Sequence, residues 1–248
     1  MPASDNEASK PKPADLPAVR GFAMTGNPAE GKPKEPFAPL FNALAVRYPE
    51  PRLALVFSNP FELLTAVMLS AQCTDERVNR VTAELFKRCP GPADLLKLTQ
   101  DQIEDLIRPT GFFHNKAKAL QGACRVLMER FGGRVPERLE DLITLPGVGR
   151  KTAVMVLGNA FGRAQGIAVD THVRRVAQRT GLSAAKTPEK IEQDLMARLP
   201  QARWTWAGNA LILHGRETCG ARKPHCTGCC IKPWCGFPDK TAGEIVRR

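Results

Sequence analysis

The sequence predicts an all-α protein, and three observations carry that prediction. Apolar residues recur at helical spacing, turn signals interrupt them every dozen or so residues, and neither alternating strand runs nor Asn-Gly or Asp-Gly hairpin turns occur. Asn59-Pro60 opens the first run as N-cap and first helical residue. Residues 61–69 behind it are apolar nearly all round, which marks a buried central helix rather than a surface one. Further helices are expected over 75–88, 101–107, 114–131, 137–143, 149–161, 170–180, 187–198 and 203–214. No internal repeat of fixed period is present.

Charge narrows the class of partner. Lysine and arginine exceed the acidic residues by 36 − 25 = +11 over 248 residues, a balance that favours a polyanion. No uncharged apolar stretch approaches the ~18–20 residues of a membrane span, so a membrane protein is excluded. Residues 1–36 hold seven prolines and balance five basic residues against five acidic ones, the composition of a disordered tail. That tail lacks the apolar core of a secretory signal and is too acidic for a transit peptide, which fits a bacterial cytoplasm. The whole +11 therefore belongs to residues 37–248.

Of eight cysteines, Cys219, Cys226, Cys229 and Cys235 crowd into the spacing C-x6-C-x2-C-x5-C, with Cys230 out of register. Structural zinc sites usually grip the ion with two short C-x2-C pairs, and only one such pair is present here. The longer, unequal steps suit the wider separation of irons in a cubane cluster, so spacing alone favours iron–sulphur over zinc and zinc over plain thiols. Cys73, Cys89 and Cys124 stand in apolar helical contexts and are expected to pack as small hydrophobes. Between the first two ligands, Arg222 and Lys223 sit on a short loop that anchorage at both ends would turn into a rigid basic finger for phosphates.

A glycine hairpin forms the second site. Leu145-Pro146-Gly147-Val148-Gly149-Arg150-Lys151 precedes an apolar helix, and two glycines two apart let backbone amides face outward at that helix's positive end. Such a turn holds a phosphate without reading a base. The pattern GxxxxGK[ST] does not match, and no strand precedes the turn, so neither a P-loop nor a dinucleotide fold is indicated. A plain helix connection is the simpler alternative, weakened by Arg150 and Lys151 directly after the glycines.

The hairpin residues, then Val169-Asp170-Thr171-His172-Val173, then the cysteine spacing, with Leu69-Ser70-Ala71-Gln72-Cys73-Thr74-Asp75 before them, together resemble endonuclease III. That family comprises helix–hairpin–helix DNA glycosylases with a [4Fe-4S] cluster, and the resemblance runs from about residue 40 to 236. It implies two helical lobes with a DNA cleft between them. One is a six-helix barrel over 53–163; the other is an iron–sulphur domain made of 37–52 and 164–248. It also implies base-excision repair of oxidised pyrimidines by a monomer acting on duplex DNA that carries damaged pyrimidines or abasic sites, with the nucleoid as its place of work.

Within that frame the chemistry follows from residue types. Excision needs a nucleophile at the sugar C1′, and an amine can go on to form a Schiff base that permits strand cleavage. Lys151 is the candidate, in the first turn of a helix beside Arg150, where existing positive charge disfavours a further proton. Asp170 is the candidate partner, as proton acceptor or stabiliser of a cationic sugar, and it also fits a helix N-cap. His172 is expected to be a structural hydrogen-bonder. A base inside a duplex must be flipped out and its space filled. Gln72 matches the family's plug position, and Phe112 stands in its second wedge loop, with Phe113 expected in the lesion pocket. This loop departs from the family's usual residues, so the resemblance carries no lesion preference with it. Together with Gly147, Gly149, Arg150, Arg222 and Lys223, these residues form the expected DNA-contacting set.

Overall fold

In the computed structural model, which describes residues 34–238, every regular element is helical. The α-helices among the described residues are α1 (Ala38–Arg47), α2 (Pro60–Leu69), α3 (Asp75–Arg88), α4 (Pro92–Leu95), α5 (Gln100–Ile107), α6 (Phe113–Phe131), α7 (Leu139–Leu142), α8 (Arg150–Phe161), α9 (Thr171–Thr180), α10 (Pro188–Arg198) and α11 (Trp204–Glu217). The tail expected over residues 1–36 lies almost wholly outside the described residues, as do residues 239–248.

Side-chain caps explain five of the eleven α-helix starts among the described residues. The Asn59 side chain accepts from the Glu62 amide at the head of α2, and Thr74 does the same for the Arg77 amide at α3. Thr99 and Gln102 close a reciprocal capping box on α5. Three elements differ from expectation. The pattern over 137–143 folds as only one turn, α7, and α1 and the one-turn α4 have no counterpart among the predicted helices. Behind the proline-rich segment, α1 buries Leu40, Phe41 and Leu44 completely, each worth about 1.5–3 kcal/mol on burial.

Two separate hydrophobic cores organise the chain. The first centres on α2, whose residues 63–69 are all buried, and gathers Val78, Leu85, Ile103, Leu120, Leu127, Val156 and Leu157 around it. The second joins α1 to Val173, Val176, Ile191, Leu195, Ala207 and Leu211 of α9, α10 and α11. The chain thus leaves the second core after α1, builds the first over residues 55–160, and returns. Polar contacts seal the junction: the Asn209 amide donates to Asn159 Oδ1 at 2.7 Å and to the Pro51 carbonyl at 3.1 Å. Gly158 of α8 lies so close to Thr205 of α11 that any Cβ would overlap it.

Candidate active site

Between the two cores runs a cleft of about 520 Å³. Gln72, Cys73, Asp75 and Lys151 line it from the first lobe, and Asp170, His172, Arg174 and Arg216 from the second. Asp75 is neutralised by an ion pair with Arg216. Arg52, Lys151 and Arg174 then outweigh Asp170, which leaves a basic groove between low-dielectric walls.

The hairpin leads into α8, which places Lys151 and Met155 on one wall. Gly147 has φ +77°, and a Cβ there would meet Ala119 Cβ at 2.7 Å and Met68 Cε at 3.1 Å, so both conformation and space require glycine. Gly149 is the N-cap of α8 with ordinary backbone, and a Cβ added there would enter open space. No side chain caps α8, so its first N–H groups remain available to an outside acceptor at the positive end of the helix. The Lys151 side chain, exposed in that first turn, makes no hydrogen bond or ion pair among the described residues.

Arg150 does not stand free beside it. Its Nε donates to Glu192 Oε2 at 2.8 Å and its Nη2 to Oε1 at 3.0 Å, a bidentate pair from α8 to α10 with the carboxylate buried. The hydrogen bond from Arg150 to Glu192 holds the guanidinium pKa above its ordinary value. On the facing wall, Asp170 caps α9: Oδ1 accepts from the His172 and Val173 amides, both at 2.8 Å. Its Oδ2 has no partner among the described residues. His172 Nδ1 meets Arg175 Nη2 at 3.1 Å, the structural hydrogen bond expected of it.

Two loop residues take left-handed backbone, Gln72 at φ +53° and Phe112 at φ +49°, each at a cost of about 1–2 kcal/mol. Gln72 is exposed at the cleft, and the Phe112 ring is 63% exposed at the head of α6, an arrangement that wastes apolar surface unless something covers it. Phe113 does not reach the cleft. It packs against the first core under the Arg108 guanidinium, 4.7 Å from the ring centroid, because one helical step turns its ring away from Phe112.

Cys219, Cys226, Cys229 and Cys235 line one small cavity, and Cys230 is outside it. Arg179 braces the segment, donating to the carbonyls of Gly220 and Ala221 and to Cys219 Sγ at 3.4 Å. Arg222 and Lys223 project from this braced loop, exposed and unpaired among the described residues. His214 contacts Cys229 Sγ at 3.6 Å, and burial pushes its pKa down to about 4. Among the described residues no three ligand-type side chains converge on a point that would hold one ion. Four thiols lining one cavity are a donor set that a metal centre can use. Cys89 and Cys124 are buried in the first core, where burial pushes the Cys124 thiol up to about 12.

Sequence reading missed the Arg150–Glu192 pair, which joins residues 42 positions apart and leaves no local trace. Arg174 was within reach, since it lies one helical turn after Asp170 and therefore on the same face of α9.

Residues 65–201 match the family model of the HhH-GPD superfamily of base excision DNA repair proteins. The chain is 52% identical over 188 residues to the protein named endonuclease III of Synechocystis sp., covering 76% of this chain and 86% of that one. It is 45% identical over 192 residues to endonuclease III of Escherichia coli (strain K12), covering 77% and 90%. Among solved structures, a trapped endonuclease III–DNA covalent intermediate is similar at TM-score 0.75 and 40% identity, with 78% of this chain and 91% of that chain covered. A thermostable thymine-DNA glycosylase shares the fold at TM-score 0.69 and 23% identity, with 81% and 95% covered.

Proposed function

This chain belongs to the endonuclease III family of the HhH-GPD base excision repair proteins, and we propose that Lys151 and Asp170 carry out its glycosylase and strand-cleaving chemistry. The enzyme is a base excision repair glycosylase and lyase, and its proposed substrates are oxidised pyrimidines in duplex DNA, with the strand cleaved at the emptied sugar. The observation that carries the residue assignment is the pairing of Lys151 and Asp170, from opposite lobes, in one basic cleft.

Phosphates seat on the backbone amides of the Gly147–Gly149 turn, while Arg150, neutralised by Glu192, anchors the first turn of α8. Arg222 and Lys223 hold the backbone from the second lobe. Gln72 and Phe112 enter the stack and fill the space left by the flipped nucleotide. Neutral Lys151 Nζ attacks C1′, and the glycosidic bond breaks with its electron pair leaving on the base. Asp170 lines the facing wall with Oδ2 unpaired among the described residues, and it stabilises the developing positive charge and accepts a proton. The lysine nitrogen passes one proton to Asp170, the C1′–O4′ bond breaks with O4′ taking up a proton, and the resulting open-chain Schiff base acidifies the C2′ proton. Its removal expels the 3′ phosphate oxygen, and hydrolysis of the imine returns the lysine.

Cys219, Cys226, Cys229 and Cys235 would hold a [4Fe-4S] cluster. Bound there, it would cross-link the C-terminal segment and stiffen the loop that carries Arg222 and Lys223. The two cores support a division into a barrel over 53–163 and a second lobe of 37–52 with 164–248. No helix among the described residues is long and apolar enough to cross a membrane.

Borohydride trapping on duplex DNA containing thymine glycol tests the assignment. Wild-type protein should give a covalent adduct and Lys151→Gln none. An equal adduct from the variant would remove Lys151 from the mechanism.

A further inference from the structure

Lys116 is one of the few charged side chains in the first core, 8% exposed. No carboxylate pairs with it among the described residues. Its ammonium instead donates to three carbonyls, Leu69, Ala71 and Thr110, each at 2.9 Å. All three of its N–H bonds are therefore used. Burial pushes its pKa below the ordinary lysine value, a penalty that oriented carbonyl dipoles offset.

The choice of carbonyls is informative. Leu69 closes α2, where the negative end of the helix dipole lies. Ala71 immediately precedes Gln72, and Thr110 stands two residues before Phe112. Gln72 and Phe112 are the two non-glycine residues with left-handed backbone among the described residues. One buried cation thus grips the roots of both strained loops, which come from segments some 40 residues apart. Apolar packing would fill the same volume without fixing the direction of either loop, because only hydrogen bonds to carbonyls are directional.

We propose that Lys116 is a positioning residue for base extrusion, a clamp that sets the Gln72 and Phe112 tips at a fixed separation so that both enter the duplex in one step. This rests on the wedge roles given above to Gln72 and Phe112. Misplacing an inserting group by about 1 Å can cost on the order of 100-fold in rate. A clamp of this kind acts on extrusion and leaves the attacking lysine alone.

The test compares full-length wild type with Lys116→Met by two measurements. Stopped-flow fluorescence of 2-aminopurine beside thymine glycol in a duplex reads extrusion, and amide exchange reads the two loops. Extrusion should slow at least about tenfold in Lys116→Met. Exchange at residues 71–73 and 111–113 should quicken together, while amides of α8 keep their protection. Unchanged extrusion or unchanged loop exchange overturns the proposal, and so does exchange that quickens equally throughout the first lobe. If Lys116→Met does not fold, Lys116→Gln, which keeps two of the donors, is read by the same criteria. Gln72→Ala and Phe112→Ala serve as controls. If they leave extrusion unchanged, the wedge assignment fails, and loop exchange in the Lys116 variant still judges the clamp.

Discussion

Arg150 and Glu192 bind each other through two parallel hydrogen bonds, 2.8 and 3.0 Å long, in the residue immediately before the candidate nucleophile. Glu192 Oε1 also accepts from the Ile167 amide, so the pair ties α8 to the segment that returns to the second lobe. The cleft geometry around Lys151 is held from behind by this contact.

Breaking it should be measurable. The Arg150 side chain is about half exposed, which discounts the cost of losing its partner. A double-mutant cycle of Arg150→Met and Glu192→Gln should give a coupling of about 1–2 kcal/mol in urea unfolding. A coupling indistinguishable from zero would mean the pair contributes nothing beyond each residue's own packing.

Asp170 has two duties that different substitutions separate. Asparagine caps helices as well as aspartate, so Asp170→Asn should change stability by less than about 0.5 kcal/mol. The same variant should lower the trapping rate by about 100-fold or more, because an uncharged NH2 group replaces the second carboxylate oxygen. Asp170→Ala should lose the cap as well, at about 1 kcal/mol. Full activity in Asp170→Asn would leave only the capping role.

The two hairpin glycines should fail in opposite ways. Gly147→Ala meets Ala119 and Met68 and adopts a left-handed backbone, so thermal unfolding should show about 1–3 kcal/mol of destabilisation. Gly149→Ala meets no protein atom, so stability should move by less than about 1 kcal/mol. Its methyl group would instead stand where a phosphate must approach, and affinity for undamaged duplex should drop. Equal effects of the two substitutions on stability would contradict this division.

Iron content distinguishes the cysteines. Purified Cys226→Ser should lose its iron and its broad visible absorbance, whereas Cys230→Ser, outside the cavity, should keep both. Protein that carries zinc and no iron would overturn the cofactor assignment.

What the sequence disclosed was governed by distance along the chain. Caps at Asn59 and Asp170, the hairpin glycines and the cysteine spacing all lie within a few residues, and each is legible as a local pattern. Lys116 reaches carbonyls 45 and 47 positions away, and Arg150 a carboxylate 42 away, contacts that only the packed fold creates. Phe113 shows a subtler limit, since its residue type suited a pocket and only the fold set it half-buried against the first core under Arg108. α1 was overlooked for a different reason: its stripe of Leu40, Phe41 and Leu44 is short and adjoins a proline-rich segment that masks it.

The split of the second core between the two ends of the chain has a consequence for biogenesis. Residues 55–160 are contiguous, so the first lobe can close while the protein is still being synthesised. α1 emerges earlier yet must hold its apolar face unsatisfied until residues 167–231 leave the ribosome. The catalytic cleft therefore comes into being late, when the last helices dock on the first, and a truncated nascent chain would own a finished barrel with nothing opposite Lys151.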